Sequence, residues 1–299
     1  MRAILYSVRL VTVAVALGDL ALSSPLGCSK VLAPVTPISG GSVSSGGTPC
    51  MGGLPATGAS VATGGGDPGL VPLTCPSIRT FKATKYPLGA RLAPRPAKAL
   101  GVPVVCELST RLWLSNSPHT LTQVRGSCVG YGTDEALSTV PGTRRTSTAD
   151  GDQLYHLATT LDNFAGTWPP TDTGSDTESG WRAAVKLGFV IDYAMADSFE
   201  SMLCELQKGA GTFGTPWSSS MFVVKADGSI DYDRSNIEGG HNWALVGVDF
   251  VRKRVRGRNT WGDGWGCLAS GVPGYFEVSF DTARELFSDG AVAGFPIYR

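Results

Sequence analysis

The stretch "QVRGSCVGYG", residues 123–132, decides how the chain is read. Ser127 stands where a helix N-cap belongs, and Val129, Ala136, Leu137 and Val140 recur at helical spacing, so a helix is predicted from Cys128 to about Val140. Cys128 then occupies the first turn, where aligned peptide dipoles favour a thiolate. Gly130 and Gly132 are poor helix formers, which makes sense if another segment packs tightly on that face.

Alone, such a cysteine is more often a small buried hydrophobe than a nucleophile. Two distant stretches change the weighing: "GGHNWALVGVD", residues 239–249, and "NTWGDGWG", residues 259–266. His241 opens an apolar strand after two glycines, in a chain with only three histidines. An imidazole there would take the thiol proton and later return one to a leaving amine. The Asn259 side-chain oxygen would accept the other ring N–H and orient the ring, with Trp261 covering that bond.

These three motifs, in this order, resemble the papain-like cysteine peptidases, in the style of short bacterial and phage-type members. The resemblance covers roughly residues 100–299. It implies an α+β, two-lobed fold, with a helical lobe carrying the cysteine and a β-barrel-like lobe carrying histidine and asparagine. It also implies a cleft for an extended peptide and hydrolysis through a thioester acyl-enzyme, with no cofactor and no metal. "TGSDTESGWRAAVKLGFV" is similar to the family's substrate-edge segment, which makes Gly174 and Ser175 candidates for backbone contacts to substrate, with Trp261 a further cleft residue. The family's oxyanion-hole glutamine usually lies six residues before the cysteine, whereas Gln123 lies five before, as if the loop were one residue shorter. Arg125 stands where many members have a disulfide cysteine, and the N-terminal segment does not resemble the helical, charged propeptide of papain zymogens. Two other readings are a catalytically silent papain-like module and a transglutaminase- or amidase-like thiol enzyme, whose histidine would be oriented by an aspartate.

Composition bounds the partners. Lys+Arg and Asp+Glu both number 25, so no overall basic field attracts nucleic acid or an anionic membrane. A peptide or protein substrate and a monomeric state are the expectation. "VRKRVRGR", residues 251–258, reads as a solvated hairpin, and the tryptophans as core or cleft packing. No Cys/His spacing suggests a metal site.

Residues 1–22 carry Arg2 and Arg9 ahead of a short apolar run, as in a secretory signal, although Asp19 fits poorly; the run is too short to span a bilayer. Residues 23–77 are rich in Gly, Ser, Thr and Pro and read as a flexible linker. The peptidase domain is placed at 78–299, and localisation as secreted or cell-surface. Seven cysteines leave at least one thiol unpaired in such a compartment. Beyond the first helix, further helices are expected in "GDQLYHLATTLDNF", "SGWRAAVKLGF" and "SFESMLCELQKG". Strands are expected in "GVPVVCEL", "VIDYAMA", "SSMFVVK", "HNWALVGVDF", "KRVRGRNTW" and "GYFEVSF".

Overall fold

The computed structural model describes residues 87–92, 106–267 and 272–299. The readings of residues 1–22 and 23–77 lie outside the described residues.

The elements run β1 (Arg111–Leu112), α1 (Cys128–Leu137), α2 (Thr148–Leu161), α3 (Thr177–Lys186), β2 (Asp192–Ala196), α4 (Phe199–Leu206), β3 (Gly211–Ser218), a 3-10 turn (Ser219–Phe222), β4 (Ile237–Asp249), β5 (Arg254–Arg258), β6 (Tyr275–Ser279), α5 (Phe280–Ser288) and β7 (Val292–Ile297). The antiparallel strands follow the order β2-β7-β3-β4-β5-β6, and β1 pairs with β4 beyond the end of β3.

The long strand β4 serves two cores. Trp243 and Leu245 face a cluster built with Phe213, Trp217, Val255 and Phe276. Ala244 and Val246, one residue out of phase, face a second cluster with Val129, Leu137, Leu154 and Trp181 from the helices. A register shift between Leu245 and Gly247 changes the phase, so Val248 returns to the first cluster. The result is a helical lobe and a sheet lobe that share one strand, and His241 enters at the start of that strand.

α1 is buried along its whole length. Gly130 lets α2 cross it closely: a Cβ there would lie 2.3 Å from the Gly151 carbonyl oxygen. Gly132 meets Asn242 of β4 in the same way, at 2.8 Å from its side-chain nitrogen. The tight packing expected at these glycines is therefore present on both sides of the helix.

Helix α1 ends at Leu137, before the expected Val140, because the Ser138 and Thr139 hydroxyls both donate to the Glu135 carbonyl oxygen at 2.8 Å. Ser127 stands before the helix but makes no capping bond. By contrast, Ser147 and Asp176 cap α2 and α3 by accepting from Asp150 N–H (3.0 Å) and Ser179 N–H (2.8 Å), worth about 1 kcal/mol each.

"SSMFVVK" is a correction: it opens with the 3-10 turn, and the strand lies before it, at Gly211–Ser218. Met221 sulfur accepts from Ser218 N–H at 3.4 Å and Phe222 stacks on Trp261, which holds the turn closed. Residues 106–108 of "GVPVVCEL" are not strand, and residues 101–105 lie outside the described residues. In the hairpin 251–258, Arg256 pairs with Asp249 and Glu277, Arg252 with Glu277, and Arg254 approaches Asp227. No described helix is long and apolar enough to cross a membrane.

Candidate active site

The nucleophile candidate is fixed from below by a buried ion pair. Glu135, two turns along α1 from Cys128, accepts from Leu121 N–H at 2.6 Å and meets Arg258 Nε of β5 at 3.1 Å. Arg258 in turn donates to the Ser117 and His119 carbonyls at 3.1 and 2.6 Å. Asp263 accepts from Thr120 N–H at 2.9 Å and contacts His119 Nδ1 at 2.5 Å. Residues 117–121 are thereby pinned to both α1 and the segment around Asn259.

Gln123 follows directly. Its N–H donates to the Thr260 carbonyl at 2.8 Å, and Thr260 Oγ1 donates to its side-chain oxygen. Its Nε2 donates to the carbonyls of Arg125 and Pro87, each at 3.0 Å. Gln123 thus sits between the cysteine loop and the asparagine segment, with its amide donor engaged.

His241 is fully buried. Its Nε2 lies 2.7 Å from Asn259 Oδ1, which also accepts from Thr260 N–H at 2.8 Å. An oxygen that only accepts requires Nε2 to carry the proton, so in the neutral ring the free lone pair is on Nδ1. Nδ1 has no hydrogen-bond partner among the described residues. Trp261 stacks on the imidazole at 4.6 Å and Trp217 meets it edge-on at 4.8 Å. Trp261 is buried and packs on the histidine. Neither Asp249 nor Asp263 contacts the ring: the first pairs with Arg256, the second with His119 and Thr120.

Cys128 is also fully buried and is the free cysteine among the described residues. Cys106 and Cys204 form a disulfide, and Cys267 is disulfide-bonded. Burial pushes the Cys128 thiol up from 9.0 to about 11, opposed by backbone N–H groups of Asn242, Gly89, Ala90 and Val129. Asn242, whose backbone N–H lies against the sulfur, follows His241 on β4, and no hydrogen bond joins the sulfur to the imidazole Nδ1. Burial pulls His241 down from 6.5 to about 4, opposed by its bond to Asn259. As found, the pair is a neutral thiol and a neutral imidazole.

Residues 87–92 cause part of that enclosure, and nothing in the sequence reading anticipated them. Ser175 N–H donates to the Gly89 carbonyl at 2.9 Å, and Arg91 N–H donates to the Ser175 carbonyl at 2.7 Å, a parallel bridge centred on Ala90. On the other wall, Gly89 and Ala90 N–H groups reach the Gly240 carbonyl at 3.1 and 2.9 Å. A Cβ on Gly174 (φ +68°) would lie 2.2 Å from the Gly89 oxygen, and one on Gly240 would lie 1.8 Å from the Ala90 oxygen. The groove is thus cut to the width of an extended backbone, with Gly174, Ser175 and Gly240 at its edges.

A further network holds the wall on the Ser175 side. Asp172 accepts from Gly126 N–H at 2.7 Å and from the Tyr155 hydroxyl, whose oxygen accepts from Gly174 N–H at 2.9 Å. Burial raises the Asp162 carboxyl, opposed by its bonds from Ser175 Oγ (2.7 Å) and Phe164 N–H (3.0 Å) and, more weakly, by the charge of Arg91. Among the described residues no cluster of His, Cys, Asp and Glu could hold a metal ion.

No family model and no curated protein matches the sequence. Among solved structures, the fold is similar to that of xylellain, a cysteine protease from Xylella fastidiosa, at a TM-score of 0.56 and 15% identity over 72% of this chain and 97% of that one. It is also similar to proCathepsin B S9 from Trypanosoma congolense, at 0.51 and 15% identity over 74% and 89%. The architecture, two unlike lobes with the cysteine helix facing the histidine strand, is the papain-like fold.

Proposed function

We propose that this chain is a cysteine-type peptidase working through Cys128, His241 and Asn259. One observation carries the reading: a buried imidazole is anchored by Nε2 to Asn259 while its Nδ1 lone pair is left unpaired. A buried polar atom without a partner is costly, and a proton-accepting role accounts for it.

In the reaction, His241 Nδ1 takes the Cys128 thiol proton and the thiolate attacks the peptide carbonyl carbon. The oxyanion is met by Gln123 Nε2 and the Cys128 N–H. Collapse breaks the C–N bond as the imidazolium protonates the leaving amine, leaving a thioester. Water then attacks that thioester, giving its proton to His241, and the C–S bond breaks to release a carboxylate. Gly174, Ser175 and Gly240 bind the substrate backbone.

Residues 87–92 and a substrate occupy the same groove, so the segment must leave before turnover. Its Gly89 and Ala90 N–H groups, which donate to the Gly240 carbonyl, also lie against the sulfur. Its departure would also free Gln123 Nε2 from Pro87. The disulfide Cys106–Cys204 supports an oxidising, secreted or cell-surface setting, where the chain would act on peptides or proteins as a monomer without nucleic acid.

The test is a peptidyl epoxide applied to the folded full-length chain, read by intact mass and peptide mapping. One adduct on Cys128, absent from Cys128→Ala, is expected. The full burial of Cys128 favours a second reading, a silent groove that keeps residues 87–92 permanently. Under that reading no adduct forms even when the segment is displaced. An aspartate-oriented thiol enzyme is disfavoured because the ring partner is Asn259.

A further inference from the structure

The segment in the groove also reports on side-chain preference, and the inference below rests on reading that groove as a peptide-binding cleft. Arg91 Nε donates to the Thr173 carbonyl at 2.7 Å. Its guanidinium lies 4.8 Å from the centre of the Phe164 ring. The Asp162 carboxylate is within electrostatic reach, held in place by Ser175 Oγ and Phe164 N–H. Two groups of different kinds therefore contact one cation, a carbonyl dipole and an aromatic face, with the carboxylate further off. Asp172 and Glu238 line the same groove, so its surroundings are acidic.

We propose that Thr173, Phe164 and Asp162 form a subsite for a basic side chain of an extended peptide bound in the cleft, filled by Arg91 in this state. The occupant's backbone is registered by Ser175, whose N–H and C=O bracket Ala90, so the residue after the bridged position is delivered to the subsite. The preference runs arginine over lysine, because only a planar guanidinium both stacks on Phe164 and donates from Nε to the Thr173 carbonyl. Neutral residues lose the charge interactions, and a glutamate is repelled.

The test uses the full-length chain carrying Gly89→Val, in which a side chain cannot seat because a Cβ at residue 89 would lie 1.9 Å from the Gly126 oxygen. Labelled heptapeptides of residues 86–92, with arginine, lysine, citrulline or glutamate at the position of Arg91, are titrated by fluorescence anisotropy. Arginine is expected to bind about tenfold more tightly than its neutral isostere citrulline, glutamate weakest, with most of the difference lost in Gly89→Val/Phe164→Ala. Equal affinity for arginine and citrulline, or no binding of any peptide by folded Gly89→Val, overturns the proposal.

If Gly89→Val does not fold, the wild-type background decides. Arg91→Gln and Phe164→Ala should each speed alkylation of Cys128 several-fold, and the double variant no more than either. An unchanged rate in Arg91→Gln overturns the subsite. Hydrolysis of the same peptides is read separately: selective binding without cleavage leaves the subsite and removes the peptidase reading, whereas cleavage indifferent to arginine does the reverse.

Discussion

Acid should loosen residues 87–92 from the groove, and the size of the effect follows from His241. The enclosed imidazole is held at about 4 against an ordinary 6.5, by burial opposed only by Asn259; no charged side chain contributes. A depressed histidine stabilises the closed form fully above 6.5 and loses that contribution as pH falls through about 4, because only the opened site takes up the proton. If leaving of the segment restores the ring to water, the opening equilibrium should rise about 100-fold between pH 7 and pH 4, roughly 3 kcal/mol. Cys128 acts on the other side: raised from 9.0 to about 11, it favours the closed form below 9.0 and withdraws that support only as pH rises through about 11. It is therefore silent in the acid window. Asp162 acts in two opposed ways: burial raises its carboxyl, which favours the closed form in acid, while its protonation weakens its charge interaction with Arg91. The assay is the rate of Cys128 modification by a dipyridyl disulfide, which stays reactive in acid, divided at each pH by the rate for Gly89→Val, so that the intrinsic reactivity of the thiol cancels. The ratio should rise steeply below pH 6.5. A ratio that is flat from pH 7 to pH 4 would refute the link between enclosure of the imidazole and seating of the segment.

Asn259→Ala should lower kcat/KM on a fluorogenic peptide by about 100-fold through loss of ring orientation, while Asp249→Asn changes it little; equal losses in both would favour an aspartate-oriented enzyme. Gln123→Ala should cut kcat by roughly 100-fold with KM nearly unchanged, the pattern of a group acting on the oxyanion, and a purely KM effect would remove it from that role. Glu135→Leu leaves the Arg258 charge buried without its carboxylate and should cost about 3–5 kcal/mol in urea unfolding, whereas Glu135→Leu/Arg258→Met recovers most of it. A double variant as unstable as the single one would show that shape, not charge, sets the cost.

The fold was readable where local chemistry and tertiary contact agree. Helices α2, α3 and α4 carry apolar stripes behind Ser or Asp caps, and all three form close to where the pattern places them. The misreadings fall where a side chain competes with the backbone or a segment has no pattern of its own. Ser138 and Thr139 back-bond onto Glu135 and shorten α1, and "SSMFVVK" is β-branched and apolar enough to suggest a strand although Phe222 is taken up by Trp261. β1, α5 and β7 went unread: two residues of β1 have no periodicity, and "VAGFPI" carries a glycine and a proline that argue against a strand until β2 and β3 pair on either side of it.

The site divides in the same way, by whether a residue's role is written in its neighbours in sequence or only in its neighbours in space. Cys128, His241 and Asn259 each sit in a motif whose glycines and tryptophans have a purpose visible in the structure: Gly240 admits a backbone, and Trp261 covers the imidazole. Gln123, one place from the expected position, is still brought beside Thr260 and Arg125, because residues 117–121 are fixed by Arg258 and Asp263 rather than by loop length. The occupant of the groove had no such motif. "PLGARL" is a short apolar run bounded by prolines, a composition that favours extended backbone but names no partner. Its meaning comes from the walls it meets, and those walls are glycines for the same reason that any extended peptide would require them. A groove shaped by Gly174 and Gly240 cannot distinguish the chain's own residues 87–92 from a substrate by backbone alone, so discrimination must rest on side chains, and Arg91 against Phe164 and Asp162 is where this structure places a charged one.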